Sequence, residues 1–304
     1  MMNNACVAAT DDSHLISHKA TASLEQLVSE ARTRIDAYQG VELSKTDMHL
    51  MLDQLLNHPI GRSVFMGKGL DGQATQFFIN SSPSDTNPII RWMCDKAPAV
   101  LATQERFRIF RNELQKRLRS GMRFASVPCG VMDDLLGLNT TDTRDILFSG
   151  IDLDEKSLKL AQASAQAKGL ESISHFYQSD AWDLGKFEEQ FDVLTSNGLN
   201  IYEGDDARVT ALYQEFFNTL KHGGILITSF LTPPPAKGGT TWKDVNLTEA
   251  AKQRILFGTI IGVGWQHFRT EETTRAQLKE AGFSDVEIIY DSQGMFPTVI
   301  ARKA

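Results

Sequence analysis

The residues that could do chemistry together in this chain fall between Pro128 and Arg269. Gly130 sits in a Pro128-Cys129-Gly130 turn that ends the apolar run 124–127, where proline and glycine break a strand. Asp152 closes the apolar run 146–151, 22 positions after Gly130. That is near the ~20 at which an acid ending the second strand of a βαβ unit takes the hydroxyls of a ribose. Between them, 131–138 carries Met132, Leu135, Leu136 and Leu138 at helix-like spacing, so 123–154 reads as strand, helix, strand with a ligand crevice at the strand ends. Asp180 with Ala181, then Asn197, Gly198 and Asn200, follow two further apolar runs, 174–178 and 191–196. Each residue also has a plain structural reading: Gly130 as a turn glycine, Asp152 as a strand-end acid, Asp180 and the asparagines as turn closers. Asp133 and Asp134, in the first turn of the helix, are explained by its dipole alone.

The elements that must position these groups cover the whole chain. Its 304 residues suggest two domains, or one with a substantial addition. A hydrophobic fraction of 41% supplies a real core, and a formal net charge of −7 opposes a surface adapted throughout to a phosphate backbone. Cys6, Cys94 and Cys129 are too few and too scattered for a disulfide framework or a metal site. We expect no metal, and a reducing, cytoplasmic location. The start of the chain lacks a signal-peptide pattern and no stretch is apolar for long enough to span a bilayer, so no membrane partner is expected.

Residues 1–20 are polar and unpatterned, read as a flexible arm, and 21–120 read as a helical N-terminal cap. Its helices are predicted over 24–39, 45–57, 89–100 and 101–119, with the glycine-dotted stretch 61–80 taken as irregular loop. The helix over 101–119 presents Phe107, Phe110, Leu114 and Leu118 on its apolar face, with Arg106, Arg108, Arg111 and other basic residues read as a solvated face or, alternatively, an anion or RNA contact. From 121 to 304 strand and helix alternate. An interruption at 232–268 opens with three prolines and adds a predicted helix over 247–261. The last two strands, over 286–290 and 297–302, are joined too tightly for a parallel crossover and must be antiparallel.

This order of motifs resembles the class I S-adenosylmethionine-dependent methyltransferases over roughly 124–302. The resemblance implies a Rossmann-like α/β fold, a seven-stranded mixed sheet ending in an antiparallel hairpin with helices on both faces. It also implies S-adenosyl-L-methionine as cofactor. The family's first motif, an acid followed by alternating glycines, falls on Ser126 to Met132. Only Gly130 keeps a family glycine, while Ser126 stands at the acid and Pro128 and Met132 at the other glycines. By the same resemblance Pro128, Gly130, Asp152, Leu153, Asp180, Ala181, Asn197 and Gly198 hold the cofactor, with Asp180 on the adenine side.

On the acceptor side, Asn200, Tyr202, Trp265 and Arg269 are the candidates, and Tyr202, His267 or Glu203 could take a proton if the nucleophile must lose one. An aromatic such as Tyr202 or Trp265 could face the sulfonium. The expected activity is methyl transfer to a small molecule, with 232–268 and the N-terminal helices closing over it as lids. Alternatives are an RNA or protein methyltransferase using the arginine-rich helix, or a non-catalytic cofactor-binding or interaction module. The helical region could equally pair two subunits as a homodimer.

Overall fold

A computed structural model describes residues 22–70, 72–80, 86–263 and 266–304. The arm expected over 1–20 lies outside the described residues. Seven strands form one sheet in the order β3-β2-β1-β4-β5-β7-β6. The strands are β1 (Arg123–Ser126), β2 (Leu147–Asp152), β3 (Ser174–Gln178), β4 (Phe191–Ser196), β5 (Leu220–Ser229), β6 (Phe283–Ile289) and β7 (Thr298–Lys303). The first five run parallel, and β7 pairs antiparallel with both β5 and β6. The order reverses at β1, with β2 on one side and β4 on the other, which is the point at which open α/β sheets bind ligands.

Two-residue alternation along the buried strands decides which helices cover which face. Ala125, Leu194 and Leu226 pack with Val209, Leu212 and Phe216 of α9 (Asp206–Thr219) and Leu278 of α11 (Glu271–Glu280). Their neighbours Phe124, Val193 and Ile227 point the other way, against Phe110 and Leu114 of α6 (Pro98–Arg117) and Leu158 and Ala161 of α8 (Glu155–Ala167). Side-chain oxygens of Asp154, Asp205 and Thr270 cap α8, α9 and α11 by accepting backbone N–H groups. The helix expected over 131–138 is a single turn, α7 (Asp133–Leu136), because Gly137 and the following polar loop end it.

The N-terminal region is α1 (Leu24–Ala37), α2 (Lys45–Leu56), α3 (Pro59–Met66), α4 (Gly72–Asn80) and α5 (Pro88–Asp95), leading into α6. The stretch 61–80 is therefore largely helical, not a loop. Its glycines serve close packing: a Cβ on Gly61 would run into the Leu55 carbonyl, and one on Gly72 would come within 3.0 Å of the Gly130 Cα. Pro98 does not interrupt a helix but opens α6, where its missing N–H costs nothing.

These helices share one core with the 232–268 insertion. Leu52, Phe65 and Ile90 pack against Leu256, Ile260 and Ile261. The insertion contributes α10 (Leu247–Arg254), which widens into a π-helical stretch, Ile255–Ile261. Arg34 of α1 fixes its end, donating from Nε to the Thr259 carbonyl at 2.8 Å and from Nη2 to the Ile260 carbonyl at 3.0 Å. Ile260→Ala should cost about 2–5 kcal/mol, the range for emptying a fully packed aliphatic site. Urea unfolding checks this, and an unchanged midpoint would show that the seam between cap and insertion is not a true core.

Candidate active site

A cavity of about 2160 Å³ lies between the carboxyl ends of the parallel strands, the cap and the insertion. Pockets for a single small ligand run to roughly 300–1,000 Å³, so this one has room for a nucleotide-sized cofactor and a second molecule beside it. Its floor begins at the turn after β1, which is stitched between two strands: Val127 N–H donates to the Thr195 carbonyl at 2.8 Å and Cys129 N–H to the Ile151 carbonyl at 2.9 Å. Gly130 has φ +52° and Met132 φ +58°, both left-handed. Only the first is a glycine, and the methionine is accommodated by a second one: a Cβ on Gly150 of β2 would meet the Met132 sulfur at 2.9 Å.

The acid missing at Ser126 is supplied from elsewhere. Asp134, in the first turn of α7, is buried, and its Oδ2 accepts from Ser126 Oγ at 2.9 Å and Thr195 Oγ1 at 2.6 Å, while Oδ1 accepts from Leu135 N–H at 3.0 Å. One carboxylate thus ties together the ends of β1 and β4 and the start of α7, a role beyond favourable placement in a helix dipole. Burial pushes the Asp134 carboxyl above its ordinary value even though these three hydrogen bonds favour its ionised form. Cys129 is no candidate nucleophile, since burial and the nearby Asp152 and Asp134 push its thiol well up.

Asp152 is 8% exposed at the end of β2, with Oδ2 accepting from Gly130 N–H and Oδ1 from Asp154 N–H, both at 2.9 Å. Those bonds fix the carboxylate beside the glycine turn and leave lone pairs free for hydroxyl donors. Burial also raises this carboxyl above its ordinary value. Asp180 folds back to accept from Trp182 N–H at 3.0 Å, and with Leu153, Ala181 and Trp182 it lines the same end of the cavity. Pro128, Asn197 and Gly198 line it as well, and the Asn197 Oδ1 is buried with no hydrogen-bond partner. An orphaned acceptor, two carboxylates at the ends of β2 and β3 and a side-chain-free turn fit a cofactor with amino, hydroxyl and amine donors.

The acceptor-side candidates divide. Tyr202 lines the cavity. Asn200 does not: it is buried below, donating from Nδ2 to the Tyr213 hydroxyl at 3.1 Å. Arg269 is 4% exposed and fully spent, on Asp206 Oδ1 and on the carbonyls of Asn200 and Glu203 at 2.7–2.8 Å, so it holds the 199–206 loop and not a substrate. His267 packs against Gly204, outside the cavity. Burial works to raise the Glu203 carboxyl, but the Asp205 amide and Arg208 outweigh it and hold the group below its usual range, which suits an ion-pair partner better than a base. Trp265 lies outside the described residues.

Three cavity residues of the insertion escaped the sequence reading, and one arginine of α6 lies elsewhere than on the solvated face expected. Trp242 and Phe268 wall the cavity from the insertion, where Lys237 also sits, its Nζ 4.6 Å from the Phe268 ring centroid. Arg106 turns into the cavity from α6, while Arg111 donates to the Gly137 carbonyl, Lys116 and Arg117 pair with Glu113, and Arg108 and Arg119 stay exposed. A signal for Arg106 was present, because it stands three residues after Thr103 and four before Phe110, on the buried side of α6.

With this geometry, comparison with known proteins identifies the class. Residues 118–244 match the family described as a methyltransferase domain. A crystal structure of a protein from Bordetella parapertussis, described as a possible exported protein, is 40% identical and superposes with a TM-score of 0.89 over 97% of this chain and 99% of that one. The magnesium protoporphyrin IX methyltransferase of Synechocystis PCC 6803, solved with bound S-adenosylhomocysteine, shares the fold at 18% identity and TM-score 0.52, over 77% of this chain and 94% of that one. An uncharacterized Haemophilus influenzae protein is 34% identical over 81 residues, and the match spans 27% of this chain and 32% of that protein. Residues 118–244 thus match a methyltransferase domain, and the sheet has the fold of the magnesium protoporphyrin IX methyltransferase.

The buried acid yields a pH prediction. Because the Asp134 carboxyl is raised in the folded state, its contribution to stability is fully present below the ordinary value of ~3.9 and is lost as pH rises through the folded-state value. Urea midpoints of the wild type measured from acid to neutral pH should fall relative to those of Asp134→Asn, and parallel curves would contradict the assignment. Asp134→Ala, which strands two buried hydroxyls, should cost about 1–3 kcal/mol at acid pH, where the contribution of the acid is fully present.

Proposed function

We propose that this protein transfers the methyl group of S-adenosylmethionine to a small-molecule acceptor enclosed between the sheet and the cap. The observation that carries this is the continuity of one large cavity, from Asp152 and Asp180 at the strand ends to Trp242 and Phe268 of the insertion. Asp152 would hold the ribose hydroxyls, Asp180 with Ala181 and Trp182 the adenine, and Asn197 the amino-acid end. The cofactor brings a methyl group already activated by its sulfonium. What remains for the protein is to align a nucleophile and exclude water, and alignment can supply ~7–11 kcal/mol.

Tyr202 is the candidate proton acceptor within the cavity, should the nucleophile need one. The cap and insertion support a small acceptor, since an RNA or protein chain would have to pass beneath a roof that shares its own apolar core. The basic residues of α6 that might have met RNA are largely engaged within the fold.

Calorimetry should show binding of S-adenosylhomocysteine, weakened about 10- to 100-fold by Asp152→Asn, which removes a charge-assisted acceptor. Tritium from labelled cofactor should pass into a metabolite pool. No binding by the wild type, or tritium passing only into RNA or protein, would refute the proposal.

A further inference from the structure

Two arginines are buried around this cavity, and the fold treats them differently. Arg269 has an ion pair and two carbonyls. Arg106 is 6% exposed, has no ion pair among the described residues, leaves Nε without a partner, and makes one long hydrogen bond, from Nη1 to Ser229 Oγ at 3.3 Å. Tyr202 and Asp291 act on it through space, but Asp291 spends its carboxylate on the amides of Gln293, Met295 and Phe296. Burial pushes the guanidinium down to about 10, so it stays charged at neutral pH. A buried charge without a direct ion pair costs several kcal/mol, and a fold keeps such a cost where a ligand repays it.

The surroundings define that ligand. The guanidinium lies 4.9 Å from the Phe296 ring centroid, and Gly198 clears space for it, since a Cβ there would come within 3.3 Å of Nη1. Phe107, Ile201, Leu231 and Phe296 line the cavity around it. Ser229 ends β5, three strand positions from the Asp152 end of β2, or about 14 Å at the usual ~4.8 Å spacing. This is the side of the cavity away from the ribose and adenine positions. A single planar fork on an apolar wall suits a carboxylate, whereas a phosphate usually gathers several donors.

We infer that Arg106 anchors the carboxylate of the acceptor, so that the substrate is an organic acid with an apolar body. This rests on the methyl-transfer reading above and narrows it to a substrate class.

The test compares wild type, Arg106→Met and Arg106→Lys. Calorimetry with S-adenosylhomocysteine and with 5′-methylthioadenosine, which lacks the amino-acid tail, comes first. Failure of the wild type to bind either would remove the methyl-transfer reading itself. A tenfold or greater loss of S-adenosylhomocysteine in Arg106→Met, with methylthioadenosine unaffected, would assign the arginine to the cofactor's own carboxylate and overturn the proposal. The expected result is less than about threefold change for both. With S-adenosylhomocysteine saturating, aryl and alkyl carboxylic acids are then titrated by NMR against their matched primary amides. Acids should bind the wild type at least about tenfold more tightly than amides, as loss of a charged hydrogen bond requires. Arg106→Met should abolish the preference and Arg106→Lys retain part of it. Equal binding of acids and amides, absence of acid binding, or a preference surviving in Arg106→Met would each overturn it. Thermal unfolding separates anchoring from a structural role: Arg106→Met should melt at or above the wild-type temperature, and a lower melting temperature would count against an unrepaid charge.

Discussion

The cavity exists because an apolar seam joins segments some two hundred positions apart in the chain. Leu52, Phe65 and Ile90 of the cap cannot be buried without Leu256, Ile260 and Ile261 of the insertion, nor the insertion without them. Short helices such as α3, α5 and α10 depend in water on tertiary packing of this kind. Together cap and insertion form a second core standing over the strand ends. Burial of Arg106 and walling by Trp242 and Phe268 both follow from that closure.

Below the seam, the turn after β1 departs from the methyltransferase pattern that the sequence resembles. Ser126 stands where that pattern has an acid, and the buried Asp134 carboxylate reaches the ends of β1 and β4 because Ser126 and Thr195 donate to it. The glycine expected at Met132 is replaced by a left-handed methionine whose sulfur occupies the space left by Gly150. In both cases the geometry is kept and the residue that produces it has changed. A motif that looks eroded in the sequence is then a redistributed one.

Much of the sheet was legible because β1, β2 and β4 are short, mainly apolar runs ended near proline, an acid or glycine. β3 and β4 lie over the residues expected, and the antiparallel end follows from the short link between the last two strands. Cap helices over 59–80 were not legible, because glycine was read as a turn former. Gly61 and Gly72 instead permit close approach of backbones, which a single sequence does not distinguish. The acids Asp152 and Asp180 could be found by position, since the strand ends fix them. Residues reaching the cavity from outside the sheet could not, with one exception. Arg106 shares the buried periodicity of α6, and a charged residue in such a pattern marks a ligand or a pairing partner.

The contact of Gly72 with Gly130 has a consequence for how freely the cap could be exchanged. The first turn of α4 rests on the turn after β1 with no side chain between them, and a Cβ on Gly130 would come within 3.3 Å of the Gly72 Cα. A substitution at either position pushes the two units apart. The cap is therefore not an exchangeable module: transplanted onto a methyltransferase core with a larger residue in this turn, it would seat badly. Side chains at both positions would crowd the contact further, so both glycines are needed to keep cap and core in register.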